Sequence, residues 1–254
     1  MLRVRASKCA ALFTGTDGLT DKQMEALHVL MTKVKLTDNQ AAKRDELIAK
    51  RDAPITLGEG ARTLIEESID EMIYDYKVSF STREMTKGTD VEDESIEIYN
   101  RIFFTDYRKM DEDDDHFSLK FLFASGHPDI VDCERRKVID IKSSWSKKTF
   151  PKRAPKNPAY DWQVKMYLYM LTKKTGEHWE DGEIAYVLTT TPEELMPENE
   201  DDSLHYMDAL EDNLRATTVK IKLTEDDIKH MDARMNAADK YAKEYVNFLT
   251  TKNK

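Results

Sequence analysis

The sequence predicts a mixed α/β protein in which a central mixed β-sheet is flanked by helices and preceded by a helical layer. Three observations carry this reading. Up to about residue 103, leucine, isoleucine and methionine recur at helical spacing. Residues 117–142 hold three short apolar runs separated by turn-forming residues, the pattern of strands. An amphipathic segment, a strong strand and further helix then follow, as in an α/β core. The 254 residues read as a single domain, with a helical layer over 1–86, a core over 87–223 and a terminal helix over 224–254.

Taken in order, residues 21–52 place Met24, Leu27, Leu30, Met31 and Val34 as a helical pair would, ending near Pro54. Leu64, Ile65, Ile69, Met72, Ile73 and Tyr76 predict an amphipathic helix over 59–77. Lys87-Gly88-Thr89 reads as a break before a short helix from Val91 to Phe103. Phe117 to Phe123 reads as a strand, and the turn Gly126-His127-Pro128 separates it from strands at Asp129 to Asp132 and Lys137 to Lys142. A basic loop with Pro151, Pro155 and Pro158 leads to a helix over Tyr160 to Lys173. Glu183 to Thr190 is a strand, Glu193 to Arg215 is partly helical, and Thr217 to Leu223 alternates like an edge strand. Thr224 is placed to cap a last helix from Glu225 to Leu249.

Composition limits the function. Apolar residues make up 40% and charged residues 35%, the mean hydropathy is −0.68, and no apolar run reaches the ~20 residues that span a bilayer. The apolar stretch Cys9 to Phe13 is too short for a signal peptide. Two cysteines, Cys9 and Cys133, give no disulfide framework and too few ligands for an Fe–S cluster, which points to a reducing cytoplasm. The net charge of −10 opposes phosphate binding, yet its distribution is uneven. Acids gather at Asp111 to Asp115 and Glu198 to Asp202, whereas Lys147, Lys148, Lys152, Arg153 and Lys156 form a basic loop suited to a nucleic-acid backbone.

The chemistry centres on Gly126-His127-Pro128-Asp129 and Val138-Ile139-Asp140-Ile141-Lys142. Residues two apart on a strand share a face, so Asp140 and Lys142 project together, away from Ile139 and Ile141. Asp129 stands eleven residues before Asp140, at hairpin distance, with Asp132 as a rival facing the other way. Two converging carboxylates suit a hard cation such as Mg²⁺. Such a cation activates water and steadies charge on a phosphate, and a lysine beside it can orient the attack. Both Asp140 and Lys142 are expected to face an open, hydrated cleft. Asp75-Tyr76-Lys77 and Asp227-Ile228-Lys229 share the Asp-x-Lys spacing but fall in helical patterns.

This layout resembles the PD-(D/E)xK nuclease superfamily. Gln163-x-x-x-Tyr167, whose two side chains share a helix face, narrows the likeness to its RecB-like and phage recombination exonuclease branch, of the single-domain lambda-exonuclease type. His127 stands where many relatives carry a small hydroxyl residue. The resemblance implies a restriction-endonuclease-like core with Asp129, Asp140, Lys142, Gln163 and Tyr167 as catalytic residues, the last two against the scissile strand. It implies Mg²⁺, replaceable by Mn²⁺, held by Glu92, Asp129, Asp140 and Ile141. Glu92 comes from the match of Gly88-x-x-x-Glu92 to the family's early-helix acid, with Glu94 and Glu97 as competitors. Ser143, Ser144 and the bases Lys147, Lys148, Lys152 and Arg153 are the expected DNA contacts.

The resemblance further implies a metal-dependent exonuclease acting on linear DNA in recombination or DNA processing, phage-encoded and working in the bacterial cytoplasm. Its expected partners are DNA, a single-strand annealing protein and further copies of itself in a ring-shaped homo-oligomer. A structure- or sequence-specific endonuclease and a catalytically silent nucleic-acid-binding module are the alternatives.

Overall fold

A computed structural model describes residues 4–251 except 14, 17–18, 20, 34, 54, 111–118 and 122–123. The acidic run Asp111 to Asp115, Pro54 and both ends of the run Phe117 to Phe123 therefore lie outside the described residues. The chain divides into two units, residues 1–10 with 71–228, and residues 11–70 with 229–254. Among the described residues, no helix is long and apolar enough to cross a membrane.

In chain order the elements are β1 (Val4–Arg5), a 3-10 segment (Ala6–Phe13), β2 (Gly15–Thr16), α1 (Asp21–Thr32), α2 (Asp38–Arg51), β3 (Thr56–Leu57) and α3 (Glu59–Ile73). Then come α4 (Arg83–Asp90), α5 (Glu92–Phe103), β4 (Leu119–Phe121), β5 (Ala124–Gly126), β6 (Ile130–Asp132), β7 (Lys137–Ser144) and α6 (Pro158–Thr175). The chain closes with β8 (Asp181–Leu188), three single 3-10 turns, β9 (Ala216–Lys222) and α7 (Glu225–Thr251).

The smaller unit holds the predicted helical pair. Thr37 caps α2 in a reciprocal box, its hydroxyl accepting from Gln40 N while the Gln40 side chain accepts from Thr37 N. Leu27, Leu47, Ala61, Ile65 and Ile69 are buried, as are Met231, Met235 and Ala238 of α7. Arg234 donates to the Thr56 carbonyl at 2.9 Å, and the Tyr241 hydroxyl is hydrogen-bonded to Glu66.

The larger unit carries the sheet that positions the site. Its strand order is β6-β7-β8-β9. β6 and β7 form the expected antiparallel hairpin, with Ile130 opposite Ile139. β7 runs parallel to β8 and β8 antiparallel to β9, so the sheet is mixed and β9 is the edge strand that its alternation predicts. A second sheet of order β1-β5-β4 stands in the same unit. On one face of the main sheet, Ile139, Ile141, Ala185 and Val187 pack with Ile96, Ile98 and Tyr99 of α5. Asp140 and Lys142 leave by the opposite face, where Gln163 of α6 meets Asp140. The helix α6 starts at Asn157, whose side chain accepts from Ala159 N, with Pro158 in the first turn, and ends at Gly176 in the left-handed region.

Two readings of helix boundaries need correction. Asp75-Tyr76-Lys77 is not helical, because α3 stops at Ile73 and Asp75 adopts φ 51°. Lys87-Gly88-Thr89 is not a break but lies within α4, capped by the Thr82 hydroxyl. The helix wins there because of what Lys87 does. Its side chain is fully buried, and its ammonium donates to the carbonyls of Ser144, Trp145 and Thr189 at 2.8, 3.0 and 2.9 Å. One residue thus fastens α4 to the ends of both β7 and β8, and a buried ammonium is tolerated when its donors are satisfied.

Burial pushes the Lys87 ammonium down to about 8, with Glu94 pulling weakly the other way. The ordinary lysine value is 10.5. Between these two values the unfolded chain holds more protons at this site, so stability from Lys87 rises with pH through that window. Urea unfolding of wild type and Lys87→Met at pH 8 and pH 10.5 should show the wild type gaining on the variant, by an amount on the order of a few kcal/mol. A difference that stays constant with pH would contradict the buried ammonium.

Candidate active site

A cleft of about 920 Å³ opens where Asp129, Asp140 and Lys142 meet. One wall is Ser81, just before α4, with Glu84, Met85, Gly88 and Thr89 of α4, continued by Glu92 at the start of α5. The opposite wall is Lys156, Asn157, Pro158, Tyr160 and Gln163 around the start of α6. Asp129, Asp140, Ile141, Lys142, Ser143 and Ser144 form its floor.

Each floor residue is placed by its strand. Asp129 precedes β6, and its Oδ2 accepts from the Ile141 amide at 2.6 Å. That bond closes the hairpin one step past the Ile130–Ile139 pair and holds Asp129 against Asp140. A strand residue sends its N–H and C=O to the same side. The Ile141 carbonyl therefore points to the same edge as Asp129, while its side chain stays in the apolar layer against α5. Any contribution of Ile141 to a metal comes from that carbonyl.

Asp140 is buried at 1% exposure, which corrects the expectation of a hydrated carboxylate. The reason is α6, which lies over this face of the sheet. Gln163 Nε2 donates to Asp140 Oδ1 at 3.1 Å and also to the Tyr167 hydroxyl at 3.0 Å. The other oxygen, Oδ2, forms an ion pair with Lys142 Nζ at 2.6 Å and has no other polar partner. Lys142 stands in turn 4.9 Å from the centre of the Tyr160 ring. Burial works against the Lys142 charge, but Asp140 and Asp129 outweigh it and raise its pKa. Burial, and after it the Asp140 charge, hold the Asp129 carboxyl well above the usual carboxylate range, against the pull of Lys142.

Two neighbouring carboxylates that repel each other, Asp140 buried and Asp129 half-buried, are the environment that a hard cation relieves. Asp129, Asp140 and the Ile141 carbonyl fit such an ion. Glu92 lines the cleft, but its carboxylate pairs with Lys109 at 3.0 Å. Among the described residues, no three His, Cys, Asp or Glu side chains gather into a ready metal cage. The competitors of Glu92 stand elsewhere. Glu94 is exposed and pairs with Arg215 at 3.4 Å, and Glu97 is exposed. The rival Asp132 is also occupied, accepting from the Tyr107 hydroxyl at 2.7 Å and the Arg135 amide at 2.9 Å.

Tyr167 lies beneath the cleft rather than in it. It is 5% exposed, and Gly126 packs so close that an added Cβ would come within 2.5 Å of the ring. Burial first, then Asp140, lifts its phenol well above the ordinary range. It acts on the cleft through Gln163. The DNA-contact candidates also separate. Ser143 and Ser144 are on the floor, the Ser143 hydroxyl 2.8 Å from that of Ser95. Lys147 donates to the Ser203 carbonyl and Lys152 to the Lys147 carbonyl, while Lys148 and Arg153 are exposed outside the cleft lining. Lys156 is the basic-loop residue that lines it. Trp145, which the sequence offers either as a stacking platform for a base or as core packing, lines the cleft, whereas the roles of Lys87, Tyr160 and Tyr186 escaped sequence reasoning. Neither Tyr160 nor Tyr186 belongs to a motif, and only tertiary packing brings them to Lys142.

The sequence model of the PD-(D/E)XK nuclease superfamily matches residues 25–243. The chain belongs to this superfamily. Among solved structures, this nuclease is similar to a phage-related exonuclease from Haemophilus somnus 129PT. The TM-score is 0.67 at 20% identity, covering 98% of this chain and 96% of that one. It is also similar to LHK-Exo, an alkaline exonuclease from Laribacter hongkongensis, in its complex with dAMP. There the TM-score is 0.52 at 16% identity, covering 99% of this chain and 93% of that one. At such identities the likeness is one of fold. A search of curated proteins returned no match.

Proposed function

We propose that this nuclease is a divalent-metal-dependent exonuclease that hydrolyses phosphodiester bonds of linear DNA. The observation that carries the reading is the floor of the cleft, where Asp129, Asp140 and Lys142 converge on one face of a hairpin in a superfamily of nucleases. Preference for DNA ends is supported by the similar solved structures, both described as exonucleases.

In this reading Asp129, Asp140 and the Ile141 carbonyl hold Mg²⁺ or Mn²⁺, with Glu92 joining after release from Lys109. When bound, the cation supplies a lowered water pKa and charge neutralisation at the phosphate. Lys142 keeps its proton, held by two carboxylates, and is set to orient the attacking water or donate to the phosphate oxygens. Gln163 fixes the Asp140 carboxylate in plane, and Tyr167 fixes Gln163. Lys156, at the mouth, is placed for a backbone phosphate. The phage context, an annealing partner and a ring-shaped homo-oligomer rest on the resemblance; light scattering with and without linear DNA tests the ring.

End-labelled linear duplex and closed circular duplex, each with Mg²⁺ or with EDTA, test the activity. Linear DNA shortened from its ends in Mg²⁺, with circles intact and EDTA silent, is the expected result. Cut circles would make the enzyme an endonuclease, and cleavage surviving exhaustive chelation would refute the metal.

The basic loop gives a narrower test. Lys156→Ala should lower the slope of log affinity against log salt by about 0.9 on duplex DNA, one phosphate contact. Lys147→Ala should leave the slope unchanged, since its ammonium is engaged by Ser203. The reverse pattern would put the DNA path across the outer loop.

A further inference from the structure

Gly88 sits in the second turn of α4 and lines the cleft. A glycine inside a helix is unfavourable beside alanine, so a local reason for it is expected. The usual ones fail here. Its φ is not positive, Gly176 being the glycine of that kind among the described residues. It does not cap the helix, since the C-cap is Val91. It does not make room for the protein either, because an added Cβ would meet nothing within 4 Å. The space beside it is cleft, and α4 cannot move in to fill it, since Lys87, the preceding residue, is fastened to three carbonyls.

Glu84, one turn before Gly88, and Glu92, at the start of α5, line the same cleft. The Glu84 carboxylate repels phosphate and Glu92 is paired with Lys109, so neither draws a phosphate to the bare backbone between them, and what approaches it is an uncharged part of a strand. We propose that Gly88 is a substrate-contact position, where a nucleotide sugar of the strand held over Asp129 and Asp140 packs directly on α4. This inference rests on the nuclease reading and adds a steric specificity element to it.

The test is Gly88→Ala and Gly88→Leu in the full chain, read by thermal unfolding and by kcat/KM on end-labelled linear duplex in Mg²⁺. Alanine should raise the unfolding midpoint by about 2 °C, because a helix prefers it to glycine. It should also lower kcat/KM about tenfold, and leucine about a hundredfold, as the strand is displaced by an ångström or more. Alanine with undiminished kcat/KM would overturn the inference. So would an alanine variant whose midpoint falls together with its activity, since Gly88 would then serve the fold. In both cases the wild type still cuts, and the nuclease reading stands. A wild-type protein that cuts no DNA in Mg²⁺ or Mn²⁺ would remove that reading, and this inference with it.

Discussion

Asp140→Asn is expected to lower kcat by on the order of 10²–10³-fold, the loss found when one pre-set electrostatic group is removed from a reacting phosphate or carbonyl. The substitution keeps the shape of the side chain and its contact with Gln163 Nε2. It removes the carboxylate paired with Lys142 but leaves Asp129 near that ammonium. The folded state therefore keeps a partner for the charge: in EDTA the thermal midpoint should fall less than in Lys142→Met. The second reading is ligand linkage. A cation that binds only the folded wild type at a hundred times its Kd stabilises it by about 2.7 kcal/mol. That upward shift of midpoint on adding Mg²⁺ should vanish in Asp140→Asn. An unchanged Mg²⁺ shift together with lost cleavage would move the metal away from Asp140.

Lys142→Met should behave differently, and the contrast comes from burial. Asp140 is 1% exposed and its Oδ2 has Lys142 as its near neighbour. Removing the ammonium leaves a buried carboxylate with no cation, beside a second acid. Breaking a buried pair from one side costs about 3–5 kcal/mol. Lys142→Met should therefore lose cleavage and also unfold earlier in EDTA, with Mg²⁺ restoring part of the stability because the ion takes over the charge. The double variant Asp140→Asn/Lys142→Met should recover most of the loss in EDTA, since neither charge is then left alone. A Lys142→Met protein as stable as wild type in EDTA would show that the pair is solvated.

The parts of this arrangement that were readable from sequence are those set by short-range geometry. The period of two in Val138 to Lys142 placed Asp140 and Lys142 on one face, and the hairpin distance placed Asp129 beside them. Helical spacing placed α1, α2, α5, α6 and α7 to within a few residues. The parts that escaped depend on what covers a surface. Alternation says which side chains share a face, but not that α6 lies over that face and buries Asp140. Glycine in Lys87-Gly88-Thr89 reads locally as punctuation, and only the three carbonyls waiting for Lys87 make helix the better state. β1, β2 and β3 have two residues each and β5 three, too few for any periodicity to register. Tyr167 matches the motif spacing, yet its role under Gln163 is decided by the tight packing of Gly126.

The three carbonyls held by Lys87 belong to segments far apart in the chain, Ser144 and Trp145 at the end of β7 and Thr189 just past the end of β8. None of these segments can open without breaking bonds to the other two. They should thus form one cooperative unit in native-state hydrogen exchange, with amides of α4 protected to the same free energy as those of the adjoining strand ends. The wall of the cleft then has the rigidity of the sheet rather than that of a surface helix. A strand of substrate entering beside Gly88 meets a surface already in its final position, and little ordering of the protein is left to accompany binding.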